Sequence, residues 1–150
     1  MYHPLHEVWA ALTESDRLVQ WLAPGVIELR RDGVARLDFA DSGGTIDSRV
    51  SGFEPKRLLE YSWSLPGEPL RPLCWRLEPV GSTTLLNLSL TVPANEDAGR
   101  AAAGWAAHLE MLQAALLGAP ARFPYPVFRA AREAYADQVS VLMRTRAMTA

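Results

Sequence analysis

The residue of this 150-residue chain best suited to act on another molecule is His108, in the segment GWAAHLEMLQAALL. Helical spacing places it about 60° from the centre of a stripe formed by Ala101, Trp105, Leu109, Leu112 and Leu116. An imidazole on that shoulder can orient a ligand or exchange a proton near neutral pH. The plainer reading is a hydrogen-bonded histidine at the core boundary. Other polar candidates are thinner. His3 and His6 lie three apart, but no carboxylate cluster completes a metal set, so no metal is expected. Cys74 is the single cysteine, which excludes an internal disulfide. Without a CxxC motif or an activating base it reads as a small buried apolar residue. Asp47 and Arg49 share a strand face and fit a solvated pair. There is no GxSxG, no phosphate-binding glycine loop, no dinucleotide fingerprint and no HExxH. No catalytic residue and no cofactor is therefore expected. The aromatic set is more telling: Trp21, Phe39, Tyr61, Trp63, Trp75 and Trp105 exceed what a thin two-layer core needs. They either fill the space between layers or line an apolar pocket.

The elements that must position these residues can be read from periodicity and punctuation. Asn95 to Leu117 predicts one long helix, with Asn95 as N-cap, Glu96 and Asp97 at the positive end of its dipole, and Gly118 and Pro120 as the stop. Its opposite face is mostly alanine (103, 106, 107 and 114), which calls for a neighbour. Before it, strands are expected at Val26–Arg30, Val34–Ala40, Thr45–Glu54, Leu58–Leu65, Arg71–Val80 and Thr83–Val92. Turns fall at Asp32-Gly33, 41–44, Pro55-Lys56 and Gly81-Ser82, and Gly52 suggests a bulge. Such short connections make the sheet antiparallel. Two short helices, Pro4–Leu12 and Asp16–Trp21, open the chain. A last helix, Pro126–Arg144, carries the stripe Phe128, Ala131, Tyr135, Val139 and Leu142, and is the nearest cover for the alanine face.

Length and composition bound the rest. One domain is expected, and 49% apolar residues make it globular. A net charge of −2 offers no general attraction to nucleic acid or anionic lipid. The start, MYHPLHEVW, has His6 and Glu7 where a signal peptide needs an apolar run. The apolar stretch at 101–119 is broken by His108, Glu110 and Gln113, hence amphipathic rather than membrane-spanning. A cytoplasmic protein is expected.

With these elements in order, VWAALTESDRLVQWLAP (8–24), SRVSGFEPKRLLEYSW (48–63) and GWAAHLEML (104–112) resemble the START-like SRPBCC superfamily. Within it they are similar to the family named for the activator of heat-shock-protein-90 ATPase. The resemblance implies an α+β helix-grip fold: a curved antiparallel sheet around a long helix, two short helices before it and a C-terminal helix added. The family core spans about 4–118 of a single domain 1–150, with a helical extension at about 119–150. Trp9, Trp21, Pro55 and Trp105 match recurring positions and carry over as packing residues. Members commonly enclose an apolar cavity between sheet and helix. The implied function is non-catalytic binding of a small hydrophobic or aromatic molecule. The expected lining is Trp21, Phe39, Tyr61, Trp63, Trp75, Trp105, His108 and Leu112, with Tyr61 and His108 as polar handles. Alternatives are a co-chaperone-like interaction module and, last, a cyclase- or hydrolase-type enzyme. One departure stands out: relatives have a strand before the first helix, where only Met1 and Tyr2 precede His3-Pro4 here. The sheet closing up, a second chain or an upstream start would each account for it; a homodimer covering the open edge is the working expectation.

Overall fold

The computed structural model describes residues 1–39 and 43–148. Its strands β1 (Gly25–Ile27), β2 (Val34–Phe39), β3 (Gly44–Glu54), β4 (Leu58–Ser62), β5 (Pro72–Val80) and β6 (Thr83–Leu90) form one sheet in chain order. Every neighbouring pair is antiparallel. Helices α1 (Leu5–Thr13) and α2 (Ser15–Leu18) precede the sheet, and α3 (Ala98–Leu116) and α4 (Tyr125–Met148) follow it.

Local chemistry sets the connections. The register slips between Val50 and Gly52, which is the bulge that Gly52 suggested. Gly81 takes φ 59° in the turn between β5 and β6. At Asp32-Gly33 the positive φ falls on Asp32 (60°), not on the glycine. Gly33 is needed for room, because a β carbon there would stand 2.5 Å from the Glu28 carbonyl oxygen. Of the turn expected at 41–44, residues 41 and 42 lie outside the described residues, and Gly43 takes φ 101°. β1 and β4 are shorter than their sequence patterns. Glu28 ends the first by accepting the Val34 N–H in its carboxylate, and paired serines end the second.

The inner face of the sheet is a row of fully buried side chains: Leu37, Val50, Leu59, Leu73, Trp75 and Leu77. Each such side chain contributes about 1.5–3 kcal/mol relative to exposure. Val8, Trp9 and Leu12 of α1 pack into the same core, Trp9 against Phe53 at 6.3 Å between ring centres. From α3, Trp105, Leu112 and Ala115 enter it, while Ala101, Leu109 and Leu116 are half-buried.

The N-cap of α3 is Asp97 rather than Asn95: its carboxylate accepts the Arg100 N–H at 2.8 Å. A turn in which Glu96 N–H reaches the Pro93 carbonyl holds the chain out of the helix until that point. At the far end Gly118 (φ 75°) donates to Ala115 and Ala119 donates to Ala114, a Schellman closure.

α4 then runs back along α3. Gly99, Ala103 and Ala107 form one row of small residues, and a β carbon on Gly99 would lie 3.5 Å from the Ala136 nitrogen. The alanine face therefore has the neighbour it called for. Of the expected α4 stripe, Phe128, Ala131, Tyr135 and Val139 are half-buried, but Leu142 is exposed. The reason is geometric: α3 begins at Ala98, level with Ala136, so the end of α4 overhangs it.

Among the described residues β6 pairs with one strand, β5. At one end of its free edge, Met1 exchanges two hydrogen bonds with Thr84, the N-terminal ammonium to Thr84 O at 2.7 Å and Thr84 N to Met1 O at 3.0 Å. The Thr84 hydroxyl also donates to the His3 carbonyl. His3 precedes α1, on which His6 lies, and its Nδ1 is 3.3 Å from the Glu7 carboxylate.

Candidate functional site

Where the ends of β2 and β3, the β4–β5 connection, the first half of α3 and the α3–α4 connector meet, a cleft of about 790 Å³ opens to solvent. Its walls are aromatic and aliphatic, with Phe39, Ile46, Trp63, Trp105, Phe123 and Phe128 among them. The rings meet edge-on. Trp63 lies 4.8 Å from Trp105 and 5.5 Å from Phe39, and Trp105 continues to Trp75 at 5.4 Å and thence to Trp21 at 6.1 Å. Edge-to-face packing at these distances adds about 0.5–1.5 kcal/mol per pair beyond burial, so the wall is stiff.

Trp63 stands just past the end of β4, where its N–H still reaches the Arg71 carbonyl at 2.8 Å. Ser62 and Ser64 hold the loop beyond it. Both hydroxyls accept from the Arg71 N–H at 3.0 Å, and Ser64 donates to the Pro69 carbonyl. At the cleft mouth the Arg71 guanidinium forks onto Glu96, Nε to both carboxylate oxygens (3.1 and 2.9 Å) and Nη2 to Oε1 at 2.6 Å. Its Nη1 takes Glu68 at 2.6 Å. The Glu96 bonds, followed by those of Glu68, hold the guanidinium firmly protonated. The Leu65 N–H and then Arg71 keep the exposed Glu68 carboxyl below its usual range. This clamp ties the β4–β5 loop to the segment entering α3.

His108 lines the cleft between two rings, Trp105 at 5.6 Å and Phe123 at 5.5 Å. Burial lowers its pKa, with a hydrogen bond to the Trp21 backbone pulling the other way, so the ring is neutral at pH 7. Its Nδ1 is shut away from solvent and has no hydrogen-bond partner among the described residues. The plainer reading, a hydrogen-bonded histidine at the core boundary, thus describes the bond to Trp21 and leaves Nδ1 over.

Of the residues singled out from sequence, Phe39, Trp63, Trp105 and His108 come together around the cleft. Trp21, Tyr61, Trp75 and Leu112 do not line it; each is at most 1% exposed and belongs to the packed core behind. The Tyr61 phenol is therefore no handle at the cleft surface. Burial pushes it up to about 12, the Trp75 indole opposing. Burial likewise raises the Cys74 thiol, which leaves it a poor nucleophile. Asp47 and Arg49 are both exposed, and Arg49 donates to the Asp32 carbonyl.

The clamp of Arg71, Glu68 and Glu96, the connector ring Phe123, and the place of the α4 residue Phe128 in the cleft wall escaped sequence reasoning. Nothing in the spacing of the α3–α4 connector places it over the cleft. A second groove, of about 610 Å³, runs between the open edge of β6 and α3, past Leu86, Leu88, Ala102, Ala106 and Leu109. Among the described residues no three His, Cys, Asp or Glu side chains gather as a metal set, and no helix is long and apolar enough to cross a membrane.

A curved antiparallel sheet with a long helix laid across it, and an aromatic cleft at one end, defines an α+β protein of the helix-grip class. The chain belongs to the activator of Hsp90 ATPase homolog 1-like family, whose model matches residues 2–117. Among solved structures it resembles CalU16 from Micromonospora echinospora, 27% identical with a TM-score of 0.77, over 91% of this chain and 82% of that one. It also resembles the protein encoded by BPP1335 of Bordetella parapertussis, 26% identical with a TM-score of 0.71, over 89% of this chain and 80% of that one. The Aha1 dimer structure from Colwellia psychrerythraea shares the fold, at 19% identity and a TM-score of 0.61, over 77% of this chain and 90% of that one. No curated protein matches in sequence.

Proposed function

We propose that the protein is a non-catalytic binding module that holds a small apolar or aromatic molecule in the cleft beside α3. The observation that carries this reading is a recess of about 790 Å³ walled by edge-packed aromatic rings. Ligand sites are concave, mostly apolar and of this size, with a few polar groups to fix orientation. The rings flanking His108 are Trp105 and Phe123, neither of them an acid or a base. Binding a guest only in the native state must raise the melting temperature. A panel of apolar aromatic probes in a thermal-shift assay should therefore stabilise the protein, and less so after Trp63→Ala. If none of the probes moves the melting temperature, the reading fails.

A second reading, a protein-interaction module, is favoured by the open edge of β6. Past Thr84 that edge has no strand partner among the described residues, and the groove of about 610 Å³ runs beside it. We propose that a second copy of the chain covers it. The mass in solution decides this.

A further inference from the structure

His108 carries a deficit that the protein alone leaves unrepaired. Its Nδ1 is cut off from water, makes no hydrogen bond among the described residues, and belongs to a residue that lines the aromatic cleft. An unmet buried polar atom is destabilising, and such atoms call for an explanation. The rings on either side, Trp105 and Phe123, supply no conventional partner. Phe123 sits in the connector between α3 and α4, outside any regular element, and a guest ring that displaced it would meet the imidazole.

The partner's chemistry follows from the surroundings. The ring is neutral at pH 7, because burial disfavours its charged form. With the ring's N–H spent on the Trp21 backbone, the neutral imidazole offers Nδ1 as a lone pair, which accepts from a hydroxyl and repels a carboxylate. The mouth adds no demand for an anion at Arg71, whose guanidinium is already committed to Glu96 and Glu68. We propose, resting on the cleft being a site for aromatic molecules, that its ligand is a hydroxyl-bearing aromatic whose hydroxyl hydrogen-bonds Nδ1 of His108.

Isothermal titration calorimetry with 2-naphthol and with naphthalene separates this from a merely greasy pocket. The wild-type protein should bind 2-naphthol about tenfold more tightly, the scale of one hydrogen bond in a dry site. In His108→Phe that preference should vanish while naphthalene still binds. Equal wild-type affinities for the two probes would overturn the assignment, whether or not the variant folds. So would a preference that survives in His108→Phe. Binding of neither probe would instead remove the ligand-site reading, and the assignment with it.

Discussion

Trp105 is the side chain on which the interior turns. It is 6% exposed, touches Trp63, Trp75 and His108, and belongs both to the core and to the cleft wall. Trp105→Ala should destabilise the fold by about 3–5 kcal/mol, the usual range for a buried tryptophan. Chemical denaturation checks it, and a loss below about 1 kcal/mol would mean that the helix is not seated as described. Tyr61 gives a different signature. Its buried phenol titrates at about 12, while the unfolded chain ionises near 10. Stability is therefore undiminished below about pH 10 and falls as pH rises towards 12, because the unfolded state loses its proton first. About two pKa steps correspond to roughly 3 kcal/mol, and Tyr61→Phe should remove that part of the alkaline slope. Sequence alternation correctly pointed Tyr61 inward. It could not tell a side chain in the packed middle of a sheet from one at a cleft, since both obey the same period.

At the scale of elements, the strands and helices were legible because alternation and turn residues are local. The boundaries that moved did so through single hydrogen bonds: Glu28 onto the Val34 N–H, Ser62 and Ser64 onto Arg71, Asp97 onto Arg100. The Arg71–Glu96 clamp joins positions 25 apart in sequence, and no periodicity announces such a pair. Three substitutions test the α3 placement. Asp97→Ala should cost about 0.5–2 kcal/mol through the lost cap, measured by urea denaturation. Gly99→Ala should be tolerated, since its new methyl would meet Ala136 and Tyr135 at ordinary contact distance. Gly99→Leu, with no space left for its branch, should drive α4 off α3 and expose α4 to proteolysis. Equal protease resistance in the two glycine variants would contradict the close helix approach.

For the molecule as a whole, the fold was legible because its landmarks recur in order along the chain, and the family match over residues 2–117 agrees. The missing first strand pointed to an edge left to close up or be covered, and past Thr84 no strand among the described residues pairs with β6 there. Met1 pairing with Thr84 was not foreseen, because a two-residue bridge leaves no pattern to read. If a second copy covers the remainder, light scattering at micromolar concentration should give twice the 16.5 kDa chain mass, and thermal stability should rise with protein concentration. A monomeric mass would exclude it.

The run of indoles from Trp21 through Trp75 and Trp105 to Trp63 has an optical corollary. Chromophores this close and this steeply inclined share their excited states, so light absorbed deep in the interior migrates outward before it is emitted. The folded protein should show a coupled circular-dichroism band that a set of separate tryptophans would lack. Its glow would then be governed by whatever touches Trp63, the ring at the far end of the relay.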